Sequence, residues 1–334
     1  MNMVFKDTEG IVPNVLAFSY AAGGYLSGII AVLSDSVFLN IVGGLLLAHA
    51  MVIAAYLLHE CAHNTIFKDN KYHVYVGNVL MWVTGSCYGD YHDIQHKHFR
   101  HHADKADVVA FDYREKLQQY PLLVKVLGIL EWAYIPAVEI MMHLLVLILP
   151  FTMESRKHRR LRVIVVSMIR MPLFIYLASI SLSFAAIYPL AYMMFLTVLR
   201  FMDTHQHTYE IFETLEQKRG EEVRRFNREY EHRNTFSNLV SIKYPLLNLL
   251  VLNFGYHNAH HTKAGLPWYR LPELHAELYG DDQSQVFPFF NLIKSFHKYR
   301  VARVLNADVG DIGINENKGT DFIGVDGVSF LTAH

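Results

Sequence analysis

Cysteine is scarce in this chain: Cys61 and Cys87 are the only two in 334 residues. That argues against a disulfide framework and against a cysteine-ligated zinc or iron–sulfur centre. Charge imbalance is missing too. With 30 basic and 31 acidic side chains the formal net charge is -1, so no global basic field gathers nucleic acid. No Gly-rich phosphate loop, internal repeat or fused electron-transfer module is visible. The opening MNMVFKDTEG lacks the basic stretch, short apolar core and cleavage site of a signal peptide, so the first apolar run is expected to be a retained span. Lysine and arginine are absent altogether between Lys6 and Lys68.

Apolar residues are abundant. They make up 52% of the chain, and the mean hydropathy is +0.16. Long apolar runs alternate with polar, histidine-rich segments, as in a membrane protein with a sizeable water-facing part. Residues 12–34 and 36–58 each reach the about 20 residues that cross a hydrocarbon core. Gly23, Gly24, Gly28, Gly43 and Gly44 favour close helix approach. The link between the runs offers only Asp35, which puts it outside and both flanks in the cytoplasm. Residues 73–89, interrupted by Gly77 and Gly85, read as a re-entrant or interfacial segment. Residues 121–152 carry Lys125, Glu131, Glu139 and His143, costly in a bilayer centre. They read as an amphipathic interfacial helix or a dip and return, with a single crossing as the competing reading. The basic run SRKHRRLR (155–162) is expected in the cytoplasm. Residues 163–202 suit a hairpin of two spans turning near 182–189, with Pro189 starting the second helix, and with Arg170 snorkelling to the cytoplasmic surface or the true span beginning nearer Pro172. The charges of 210–235 need no function, and residues 306–334 read as a tail to a single domain covering 1–305.

The histidines organise the rest. HDIQHKHFRHH (92–102) holds His98, His101 and His102 in an H-x-x-H-H pattern, and on a helix that spacing turns three rings to one side. HECAH (59–63) supplies His59 and His63, DTHQH (203–207) supplies His205 and His207, and GYHNAHH (255–261) supplies His257, His260 and His261. A lone histidine is usually a polar surface or satisfied core residue; the repetition points to one metal site assembled from four places. Without His205 the groups offer nine imidazoles, too many for one zinc with about four ligands. They suit two metal ions with incomplete shells. Imidazole alone does not select the metal, but a site where apolar spans emerge favours iron and lipid oxidation. Glu60, Asp93, Asp104, Asp107, Asp203 and Glu210 are candidates to orient ring N–H groups, and Asn258 to hold a metal-bound water.

From about residue 45 to 275 this series resembles the membrane fatty acid desaturase and hydroxylase superfamily. GYHNAHHTKAGLPWYRLPELH is similar to its third histidine box and the proline-bearing continuation. The resemblance implies an all-α integral membrane protein with about four transmembrane helices, interfacial helices and a cytoplasmic histidine-rich di-iron cap. It implies two Fe as cofactor and O2 as co-substrate. Its partners would be a lipid or acyl-chain substrate and a separate electron donor, a ferredoxin or a cytochrome-type protein with its reductase. Carried over by position, the metal ligands are His59, His63, His98, His101, His102, His257, His260 and His261. The ninth is His205 or His207, with His207 preferred for its Gln-His pair; Glu60, Asp203 and Asn258 stand behind them.

The chemistry expected is desaturation of a fatty-acyl chain, with hydroxylation or ketolation of a fatty acid, alkane or carotenoid as the alternative. A membrane zinc metalloprotease would use HECAH as H-E-x-x-H, which leaves both H-x-x-H-H clusters unexplained. A metal transporter should place ionisable groups along its spans, whereas here they gather at the ends.

Overall fold

The structure is a computed structural model describing residues 4–109, 112–209, 212–215, 227–305, 308–313, 318–326 and 329–332. Among them the helices are α1 (Ile11–Val32), α2 (Val37–Ala62), α3 (Asn70–Thr84), α4 (Tyr91–Asp104), α5 (Tyr113–Gln118), α6 (Pro121–Trp132), α7 (Ala137–Thr152), α8 (Arg160–Ile180), α9 (Leu182–Thr204), α10 (Arg228–Arg233), α11 (His257–Thr262), α12 (Leu271–Tyr279) and α13 (Phe289–Lys298). Two three-residue strands, β1 (Asp107–Val109) and β2 (Phe212–Thr214), pair in parallel. Four helical stretches are long and apolar enough to cross a membrane: Ile11–Val32, Val37–Ala62, Glu154–Ile180 and Leu182–Thr204. The chain divides into two compact units.

The first unit comprises Met1–Ile94, Met142–Val198 and Leu331–His334. Its centre is the α1–α2 pair. A Cβ on Gly43 would stand 2.7 Å from the Ala31 Cβ, and one on Gly28 would stand 3.0 Å from the Gly43 carbonyl. The two backbones therefore touch where small residues permit it; Gly23 faces open space and takes no part. Ser36 caps α2 by accepting from Leu39 N. At the other end, Asn64 adopts φ 55, a left-handed stop that asparagine tolerates. Outward side chains such as Ile30 and Leu182 are 70% and 85% exposed, an apolar surface suited to lipid rather than water.

Two expectations for the 163–202 hairpin are corrected. The turn falls at Ser181, whose Oγ accepts from Phe184 N at 3.1 Å and caps α9. Pro189 therefore lies inside α9, where a membrane helix tolerates it. Arg170 does not snorkel freely. Its Nη1 donates to the Trp82 carbonyl at 2.9 Å and to Cys87 Sγ at 3.2 Å. Part of the basic run is also consumed internally: Arg159 pairs with Asp90 and Asp93, and Arg162 donates to Asn78 and to the Cys87 carbonyl.

The second unit comprises Gln95–Met141 and Leu199–Phe330. One apolar cluster gathers Leu239, Tyr256, Ala259, Leu266, Leu271 and Val286, and another Phe236, Phe287, Leu292 and Phe322. Several buried charges have close partners. Arg200 Nη1 lies 2.6 Å from both oxygens of Glu131, and Glu139 accepts from Ser329 N and Oγ. These acids, expected as burdens on an interfacial stretch, are structural anchors. Described residues of the 308–330 stretch are built into the unit. Phe322 is fully buried, Val325 N donates to Thr204 O, Tyr113 Oη donates to Asp326 at 2.5 Å, and Lys97 Nζ donates to Ser329 O at 2.8 Å.

Candidate metal centre

The second unit positions seven of the nominated histidines. Residues 95–104 of α4 present His98, His101 and His102. The opposite face of that helix is held by Arg100, which donates to Asp104, to Glu213 on β2 and to the Thr214 carbonyl. His207 leaves the end of α9 in an extended segment. It is fastened by an antiparallel bridge to Thr235, with Phe236 N donating to Gln206 O and Thr208 N to Asn234 O. The one-turn helix α11 carries His257, His260 and His261, all buried. Gly255 precedes it because Asn238 N bonds the Gly255 carbonyl. A Cβ there would lie 2.8 Å from the Asn238 carbonyl oxygen.

Two imidazole groupings result. In the first, His101, His207, His257 and His261 each offer a ring nitrogen, all within 4.8 Å of one another. His207 Nε2 stands 3.0 Å from His101 Nε2 and 2.7 Å from His257 Nε2. In the second, His102 Nε2 lies 3.2 Å from His98 Nε2 and 3.1 Å from His260 Nε2. Nitrogens about 2.1 Å from one ion are about 3 Å apart when adjacent at right angles, so these spacings fit ligands sharing a metal.

Protonation and orientation agree with that fit. Burial, reinforced by neighbouring rings, pushes the pKa of His207 and His261 well below the usual imidazole range, so both are neutral and offer lone pairs. His101 Nδ1 donates to the Ala106 carbonyl at 2.9 Å, which leaves Nε2 for a metal. His261 Nδ1 donates to Glu231 Oε1 at 3.0 Å, and its buried Nε2 has no hydrogen-bond partner. Because His261 is neutral, this is a hydrogen bond to a carboxylate rather than an ion pair. The donor set is all imidazole, suited to iron, zinc or copper.

The other nominated residues have the following surroundings. His205 is fully buried among the rings of Phe201, Phe296 and Phe322, outside both groupings. His59 and His63 belong to the first unit, on the last turn of α2 and its cap, with ring centroids 4.7 Å apart. Glu60 accepts from Thr65 Oγ1 at 2.6 Å and stands 3.6 Å from His59 Nδ1. Asp93 is paired with Arg159, and Asp104 with Arg100. Asp107 is half-buried on β1, and desolvation raises its carboxyl pKa to about 7. Asp203 lies in the electrostatic reach of Glu139 and Lys97. The Asn258 amide is engaged by Ser237 Oγ and Gln285 Oε1. Glu210 lies outside the described residues. Sequence reasoning missed Glu231, because REYEHR looks like an ordinary solvated charge run; its signal is burial, which a sequence does not print.

Among the described residues four helices are apolar and long enough to cross a membrane, and the clustered imidazoles could hold metal. The fatty acid desaturase family profile matches residues 36–291, well over half of the chain, and the chain belongs to that family. It is accordingly an integral membrane oxidoreductase of lipid metabolism. No match was found among curated proteins.

Proposed function

We propose that the protein is an O2-dependent di-iron desaturase of a fatty-acyl chain. The observation that carries the reading is the quartet His101, His207, His257 and His261 of a fatty acid desaturase family member, three of them buried and the group free of cysteine. The ligands of the pair are His59, His63, His98, His101, His102, His207, His257, His260 and His261. His207 is taken as the ninth because it lies within the quartet and His205 does not. When bound, two irons with O2 and two electrons supply the oxidising power that breaks an unactivated C–H bond.

The chain's own part is geometric. Ala106 O and Glu231 fix two ring tautomers, and burial keeps His207 and His261 unprotonated. Exclusion of water confines the oxidant to the chosen C–H bond. Loss of a second hydrogen gives an alkene; return of oxygen gives an alcohol. The H-x-x-H-H form of the second histidine box supports the alkene. The stretch without lysine or arginine between Lys6 and Lys68, set against the basic run at 155–162, supports a cytoplasmic site and cytoplasmic termini. The electron donor is a separate ferredoxin or cytochrome-type protein.

The test is lipid profiling of a host expressing the chain beside His101→Ala and His261→Ala variants, with metal analysis of the purified proteins. New double bonds and iron with the wild type alone are expected. Hydroxylated or keto products would move the assignment within the family. Full activity in either variant, or zinc without lipid oxidation, would refute it.

A further inference from the structure

Glu231 meets three demands at once. It is 4% exposed on α10, where a lone carboxylate would be costly. Its Oε1 accepts from His261 Nδ1 at 3.0 Å. The same oxygen accepts from Lys105 Nζ, which also donates to the carbonyl of His102. Lys105 follows the last residue of α4 with φ 52, a left-handed conformation uncommon for lysine. That backbone ends α4 just after His101 and His102 and turns the side chain toward α10. Arg228 Nη1 adds a cation 3.7 Å from the second carboxylate oxygen. At its far end α10 runs directly into Asn234 and Thr235, which bond the segment carrying His207.

We propose that Glu231 is a positioning residue for the metal bound by His101, His207, His257 and His261, and that with Lys105 it clasps the second histidine box to the third. The carboxylate orients the His261 ring, fixes its proton on Nδ1 and makes Nε2 a better donor. Lys105 supplies a cation beside the carboxylate in its buried place. The inference rests on the di-iron reading above. Outer partners of metal-binding imidazoles typically govern about 10- to 100-fold in metal affinity.

The experiment is an iron(II) titration of the full-length protein in detergent, with the thermal midpoint of the metal-free form measured alongside. Glu231→Leu is expected to weaken one of two iron equivalents by about 10- to 100-fold and leave the other unchanged. Glu231→Gln keeps an acceptor oxygen and is expected to fall between Leu and wild type; it carries the test if Glu231→Leu does not fold. Unaltered iron affinity in Glu231→Gln would overturn the proposal. So would equal weakening of both equivalents with a lowered metal-free midpoint, which is what a mere counter-ion to Lys105 predicts. If the wild type takes up another metal and Glu231→Leu shows the same selective loss, the iron reading fails and the role of Glu231 stands.

Discussion

Replacing Arg200 with methionine tests how the second unit is held together. Arg200 and Glu131 have side chains only 2% and 5% exposed. Two opposite charges about 4 Å apart at an effective dielectric of about 20 attract by about 4 kcal/mol. Removing one member of such a buried pair costs about 3–5 kcal/mol, because the survivor has no solvent to turn to. Glu131 would retain only the bond from Val138 N at 3.1 Å. For a chain of this size that loss corresponds to a fall of about 4 to 7 °C in thermal midpoint. The assay is thermal unfolding in detergent, run as a double-mutant cycle with Glu131→Leu. The double variant should recover most of the loss, falling short by about 1 kcal/mol for the bond Arg200 Nε makes to Asp326 O. An Arg200→Met midpoint within about 2 °C of wild type, or a double variant no better than the single, would refute this account of the pair.

The two candidates for the ninth ligand separate cleanly. His207→Ala should lose one iron equivalent on metal analysis, whereas His205→Ala, which empties a pocket between phenylalanine rings, should keep both and only lower the thermal midpoint. The C-terminal stretch yields the other prediction. Phe322 is fully buried against Phe236, Phe287 and Leu292, so Phe322→Ala should cost about 3–5 kcal/mol in unfolding experiments. A solvated tail would give under about 0.5 kcal/mol.

Local pattern made much of this molecule legible in advance. The runs 12–34 and 36–58 became α1 and α2 within a few residues, because helix length and apolar content are short-range properties. The H-x-x-H-H spacings landed on α4 and α11, where i, i+3 and i+4 share a face. Between His205 and His207, two residues apart, spacing had no power to choose. The end of α9 and the bridge to Thr235 separate them, turning one ring into a phenylalanine pocket and the other toward His101, His257 and His261.

What stayed hidden was long-range and electrostatic. Glu131 and Arg200 are 69 positions apart, Lys105 and Glu231 are 126, and Glu139 and Ser329 are 190. Each charged residue among them looks on its own like a membrane liability or a wet surface group. A buried charge survives only opposite its partner, and partners so distant along the chain meet only once the backbone has folded. Composition and periodicity therefore carried the helices and the histidine spacings, and the resemblance of those motifs carried the family. The partners of Glu231, the place of the described C-terminal residues and the separation of His207 from His205 were decided by packing, since burial turns an ordinary acid or imidazole into one whose neighbours dictate its direction.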